Sequence, residues 1–270
     1  MKKLLNNNDL NEALNNVSNL GFVPTMGSLH KGHISLIKKS KKQCSKTIVS
    51  IYVNPKQFNS KKDYKSYPRN SKKDLSILKK LKVNFVYLPR TQDIYGSKKG
   101  TKIKLDNKDR IMCAKFRKGH FEGVIDVMMR LTKIIKPKKI FMGEKDYQQL
   151  YLVKRYIKKK FQTKIIECKT IRNKKKLALS SRNTLLNKNQ LLKAEKFTQK
   201  IIAFKKSIKK IKVTSKILDK KKRELNKLFK IKIQYFELRN KINLKITNKI
   251  KNSKIFVAFF INKIRLIDNF

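Results

Sequence analysis

Apolar residues in the first 170 positions alternate between two periods. Short runs at 21–23, 47–53, 84–88, 139–142 and Lys164–Cys168 are too brief for helices and read as buried strands. Between them the spacing changes to three and four. Ile34 and Ile37 open one such segment, Leu75, Leu78 and Leu81 mark a second, and Val124, Val127, Met128, Leu131 and Ile135 a third. Strands alternating with helices predict an α/β fold, with a parallel sheet covered on both faces. Ligands of such sheets lie beyond the carboxyl ends of the strands.

The last hundred residues follow another pattern. Positions 190–228 are Lys-rich with scattered apolar residues and read as helix; 231–238 and 255–261 read as strands. A smaller α+β domain is therefore expected at 170–270, after a larger domain at 1–169. No internal repeat is visible.

Charge changes this picture less than its size suggests. The 270 residues include 71 Lys and Arg against 17 Asp and Glu, a net charge of +54. Nucleic-acid binding is one reading, because neutralising phosphates needs basic side chains. Compositional drift is the other. Only 11 of the 71 are Arg, Asn and Ile are also abundant, and Lys runs the whole length instead of marking one arm. The second reading predicts no specific nucleic-acid partner. It predicts attraction of anionic substrates and salt-sensitive sticking to RNA. An apolar content of 40% suits a globular chain. No uncharged apolar run approaches a membrane span, and the two-Leu patch near the start is too short for a signal-peptide core. Cys44, Cys113 and Cys168 are odd in number and lack metal-ligand spacing, which predicts a reduced cytoplasmic chain.

Four segments carry chemistry. In the first, FVPTMGSLHKGH, a strand ends near Pro24, a tight turn follows at Gly27, and a helix is expected to begin near His33. A helix N-terminus presents free N–H groups to phosphate. His30 and His33, three apart, share a face and can stabilise charge growing on an α-phosphate. In the second, IYVNPKQF, a strand and an Asn-Pro turn deliver Gln57, whose amide can both donate and accept; spacing alone favours a plain turn with a surface Gln. The third, FMGEKDYQQ, again runs strand, Gly, charges, helix. Lys145 can neutralise phosphate, Asp146 can fix a ribose or hold Lys145, and Gln149 can face the same cleft, although a helix cap with a surface ion pair has the same spacing. The fourth, LALSSRN, offers Ser180, Ser181 and Arg182 as a polyphosphate clamp, or an ordinary N-cap beside a surface Arg.

Together with YPR at 67–69, GHFEGV at 119–124 and the ending RLIDN, these segments resemble one family in order and along nearly the whole chain. They are similar to the pantothenate synthetases (pantoate–β-alanine ligases). The resemblance implies a Rossmann-like nucleotidyltransferase domain of the HIGH type with a C-terminal lid domain, paired as a homodimer. It implies ATP-dependent joining of pantoate to β-alanine through pantoyl-adenylate, with Mg²⁺, releasing AMP and pyrophosphate. His33 becomes the catalytic imidazole. ATP falls to Met26, Gly27, Ser28, Leu29, His30, Lys31, Gly32 and His33, to Gly143, Glu144, Lys145 and Asp146, and to Ile171, Leu179, Ser180, Ser181 and Arg182. Gln57 and Gln149 fall to pantoate, and Gln57 also to β-alanine. Departures stand at Glu122, where a basic or small residue is usual, and at Lys175 and Lys176, where an acidic residue and Gly are common. Only Asp74 remains of an acidic cluster after YPR, which leaves the Mg²⁺ ligands unassigned.

Overall fold

In a computed structural model describing residues 1–96, 103–209 and 211–270, the chain divides into two compact units, Met1–Lys169 and Thr170–Phe270. The first unit runs β1 (Lys2–Leu4), α1 (Asn7–Leu14), β2 (Leu20–Thr25), α2 (Lys31–Gln43), β3 (Lys46–Ile51), α3 (Lys61–Ser66) and α4 (Ser71–Lys80). It continues through β4 (Phe85–Tyr87), α5 (Thr91–Tyr95), α6 (Met112–Phe116), α7 (His120–Ile135), β5 (Lys139–Gly143), α8 (Tyr147–Lys160) and β6 (Lys164–Cys168). The six strands form one parallel sheet in the order β1-β4-β3-β2-β5-β6.

Five of these strands are the apolar runs of the sequence. Neighbouring residues on opposite faces are fully buried together: Phe22 with Val23, Ile48 with Val49, Ile140 with Phe141. Helices therefore cover both faces, as a parallel sheet requires. On one face Val23, Val49, Val86 and Phe141 pack with Leu36 and Ile37 of α2 and Leu78 of α4. Strand β1 went unforeseen, since Lys2-Lys3-Leu4 buries only Leu4 and has no apolar run to announce it.

Strand order decides where a ligand can sit. From β2 the chain crosses to β3 and β4, then returns to place β5 on the other side of β2. The order reverses between β2 and β5, and the crevice outside their carboxyl ends is the topological switch point. The first and third chemical segments follow β2 and β5; the second follows β3.

In the second unit α9 (Lys188–Ser207) and α10 (Ser215–Phe229) precede the antiparallel sheet β7 (Lys232–Asn240), β8 (Ser253–Ile261) and β9 (Ile264–Asn269). The helix expected over 190–228 is thus two helices, and position 210 lies outside the described residues. Thr214 starts the second by accepting the Ile217 N–H. Phe197, Ile201, Leu225, Leu238, Ile255, Val257 and Phe259 form this unit's own core.

Candidate active site

The turn after β2 is shaped by side chains on both flanks. Thr25 Oγ1 donates to the Ser50 carbonyl at 2.7 Å and accepts the Gly27 N–H at 3.2 Å. Gly27 has φ +79° and Ser28 φ +51°, so two successive residues are left-handed. That conformation costs Ser28 about 1–2 kcal/mol. Asp74, buried near the start of α4, offsets it: its two oxygens accept the N–H groups of Ser28 at 2.8 Å and Leu29 at 2.7 Å. The surviving acid of the YPR segment therefore spends both oxygens holding the loop.

Helix α2 begins at Lys31, two residues before the expected start, because His30 is its N-cap. Its Nδ1 accepts the Gly32 N–H at 3.1 Å, and His33 Nδ1 accepts the His30 N–H at 3.3 Å. Two imidazoles thus form the reciprocal cap that Ser and Glu usually supply. A nitrogen that accepts carries no proton, so each neutral ring bears its proton on Nε2. The ring centroids are 4.1 Å apart. A Cβ on Gly32 would lie 2.7 Å from the His30 ring, which explains the glycine between them. Burial, then the Lys145 ammonium, push His30 down to about 4, against the pull of Asp146. Burial, then the His30 ring, push His33 down to about 3. Both rings are neutral donors at physiological pH.

Across the switch point, Gly143 ends β5 and Glu144–Asp146 form one tight turn into α8. Lys145 Nζ pairs with Asp146 Oδ1 at 3.3 Å, and both reach the His30 ring electrostatically. The two glutamines that follow divide their work. Gln148 is buried, accepts the Cys113 N–H, and donates to the carbonyls of Asp109 and Ile111. Gln149, in the first turn of α8, is half-exposed, and its side chain makes no hydrogen bond among the described residues.

Gln57 is buried, not a surface residue, and ends the one-turn helix Pro55–Gln57. Its carbonyl accepts from His120 Nδ1 at 2.7 Å. Its amide nitrogen faces Met26 Sδ at 3.0 Å, while Oε1 accepts from Asn54 Nδ2 at 3.3 Å. Helix α7 presses on this turn through Gly123, where a Cβ would lie 2.4 Å from the Lys56 carbonyl oxygen and 2.9 Å from the Gln57 nitrogen. Backbone cannot step aside as a side-chain tip can. Gly123→Ala is therefore expected to cost about 1–3 kcal/mol of stability and to raise the KM of whatever Gln57 binds, read by thermal unfolding and steady-state kinetics. Unchanged stability would show that the turn and α7 separate freely.

Other parts of the matched segments are structural. Phe58 packs edge-on against Tyr64 and Tyr67 at 5.4 and 5.5 Å, and Arg69 closes the end of α3 through the carbonyls of Tyr64, Lys65 and Tyr67. In the second unit Leu179 N–H bonds to the Ile171 carbonyl at 3.0 Å, setting these two side by side. Ser180 caps the turn Ser181–Leu185 by accepting the Arg182 N–H, with Ser181 buried beneath it. In the RLIDN ending, Asp268 takes a two-pronged pair from Arg172 at 2.7 and 2.8 Å.

The family model described as Pantoate-beta-alanine ligase matches residues 2–270. The chain belongs to the pantoate-beta-alanine ligase family. A pantothenate synthetase of Clostridium botulinum is 40% identical over 257 residues, covering 93% of this chain and 90% of that protein. Another, from Thermosipho africanus, is 36% identical, covering 96% of this chain and 94% of its own. Among solved structures, the Francisella tularensis ligase complexed with Beta-gamma ATP and Beta-alanine is 37% identical with TM-score 0.86, covering 100% of this chain and 97% of that one. The Thermus thermophilus ligase is 29% identical with TM-score 0.93, covering 100% and 99%.

The departures from the family pattern have local accounts. Glu122 faces Arg110 at 3.5 Å, so its charge is answered. Lys175 reaches Glu195 at 3.5 Å. Lys176 has φ +72°, the left-handed conformation that makes Gly common at that place. Sequence reasoning missed Asn54, Tyr95, His120 and the structural part of Asp74. Each acts by holding another residue, and no spacing rule signals that.

Proposed function

We propose that this member of the family condenses pantoate with β-alanine at the expense of ATP, through pantoyl-adenylate. The observation that carries the reading is the pair of neutral Nε2–H imidazoles at the start of α2, placed at the switch point with Lys145 across it. Pantoate's carboxylate is already ionised at neutral pH, so no base is required. One carboxylate oxygen attacks the α-phosphorus and the bond to pyrophosphate breaks. The step needs alignment and charge neutralisation. Nε2–H of His33 donates to the oxygen on which charge grows, with His30 beside it, and Lys145 answers the phosphates. The β-alanine amine, in its free-base form, then attacks the acyl carbon; AMP leaves and the surplus ammonium proton passes to solvent.

We assign ATP to Met26, Gly27, Ser28, Leu29, Lys31 and Gly32 beside the two histidines, to Gly143, Glu144, Lys145 and Asp146, and from the second unit to Ile171, Leu179, Ser180, Ser181 and Arg182. Gln57 and Gln149 take pantoate, with Gln57 also towards β-alanine. Shielding the adenylate from water is the task given to the second unit. Mg²⁺ fits as a companion of the phosphates. No three His, Cys, Asp or Glu among the described residues are grouped to cage a metal, Asp74 is committed to backbone, and Mg²⁺ characteristically uses substrate oxygens. Bound there, it would neutralise phosphate charge. Homodimers in the cytoplasm are the expected state, in keeping with three buried cysteines, Cys44, Cys113 and Cys168, outside any disulfide. No helix of the described residues is long and apolar enough to cross a membrane.

ATP–pyrophosphate exchange tests the reading. Exchange is expected to require pantoate, and adding β-alanine is expected to yield AMP and pantothenate. Exchange that runs equally well without pantoate would defeat it.

A further inference from the structure

Gln57 has its backbone fixed by His120 and Gly123, but those contacts leave the direction of its amide open. Asn54 settles that direction. All four of its amide's hydrogen-bonding positions are occupied. Oδ1 accepts from the Lys56 N–H at 3.3 Å and the Tyr95 hydroxyl at 2.9 Å. Nδ2 donates to the Gly123 carbonyl at 3.1 Å and to Gln57 Oε1 at 3.3 Å. A backbone N–H only donates and a carbonyl only accepts, so one orientation of Asn54 satisfies all of them. That orientation turns an N–H towards Gln57, engages the Gln57 oxygen, and leaves the Gln57 amino group facing the Met26 side.

We propose that Tyr95 is a positioning residue which, by donating to Asn54, holds the Gln57 amide so that Gln57 meets its ligand as a hydrogen-bond donor. The proposal rests on the reading that Gln57 binds pantoate. The ligand atom that meets this amino group must then be an acceptor, a carboxylate or hydroxyl oxygen. This arrangement narrows the expectation that the amide both donates and accepts.

Tyr95 is built for a fixed role. The side chain is buried at the end of α5. Lys56 Nζ lies 3.7 Å and the Arg130 guanidinium carbon 4.8 Å from its ring centroid. Both cations pair with Asp126, at 3.9 and 2.7 Å. Two anchored cations on the ring leave the hydroxyl little freedom to swing away from Asn54. Burial also pushes the phenol above its ordinary range, so the hydroxyl keeps the proton it donates.

The test is a double-mutant cycle in the pyrophosphate exchange assay with Tyr95→Phe, Gln57→Ala and the pair. Tyr95→Phe should raise the KM for pantoate about fivefold, the worth of one hydrogen bond, and leave the KM for ATP within about twofold. In the Gln57→Ala background it should add nothing, because its effect travels through Gln57. Equal effects in both backgrounds, or a matching rise in both KM values, would overturn the proposal. A second readout needs no substrate. The side-chain amide NMR signal of Gln57, assigned by its loss in Gln57→Ala, should double or broaden in Tyr95→Phe. An unchanged signal also overturns the proposal. Pantoate-independent exchange by the unmodified protein would defeat the ligase reading alone, with the NMR result still judging Tyr95.

Discussion

His33→Ala is expected to slow adenylate formation by about 10²–10³-fold, the usual effect of losing one preorganised donor to a developing charge. ATP binding should weaken far less, because the loop proposed to hold the phosphates keeps its Asp74 and Thr25 supports. Single-turnover adenylation against ATP affinity makes the comparison, and unchanged turnover would remove His33 from the mechanism. His33→Gln sharpens the case. Gln at the third position of a helix can accept the His30 N–H through its oxygen and still present an amino donor. It should recover about tenfold over Ala if the ring works as a neutral donor. If the ring works as an acid or base, Gln should do no better than Ala.

The pH profile checks the same point. Both histidines are depressed, to about 4 and about 3, so neither changes charge between pH 8 and 5.5. Adenylation should show no limb near 6.5, where an unperturbed His titrates. Stability behaves differently, because the unfolded chain binds these protons first. The contribution of the neutral rings is complete above about pH 6.5 and declines as pH falls towards 4 for His30 and 3 for His33. An activity limb at 6.5 would contradict the donor role.

Asp74→Ala is the second large effect. It strips Ser28 and Leu29 of the acceptor for two adjacent N–H groups, one of them in a left-handed residue. Leaving buried donors unpaired costs about 1–3 kcal/mol each, so about 2–6 kcal/mol is at risk locally, reduced wherever water reaches the freed groups. The loop should lose its shape before the whole unit unfolds. KM for ATP should rise by about tenfold or more, alongside a clear drop in melting temperature. Asp74→Asn keeps one acceptor and should fall between the two. A variant with normal ATP affinity would show that the loop keeps its form without Asp74.

The family and the chemistry were legible in the chain because they rest on local residue types. HKGH, VNPKQF and GEKD each combine a turn, a charge or ring, and a helix start within about a dozen positions, the range over which spacing carries information. The five strand runs were legible for the same reason: strands of a parallel sheet covered by helices are mostly apolar along their length. Elements whose stability is borrowed were hidden. β1 exists because β4 offers it an edge, and β9 because β8 does. The start of α2 was misplaced by two residues because a histidine cap has no ordinary sequence signal.

By itself, then, the sequence determined the family, the period of each segment, and the α/β class. Only tertiary structure decided how those residues are held. The switch point between β2 and β5 follows from strand order, which no local pattern encodes. Asp74 stands 45 residues from Leu29 and Gly123 stands 69 from Asn54, yet each pair is hydrogen-bonded. The hydroxyl that donates to Asn54 comes from Tyr95, 41 residues away. Spacing can place a side chain on a turn or a helix face. The direction of its hydrogen bonds, and with it its charge state and its role, is set by partners that only folding brings within 3 Å or so.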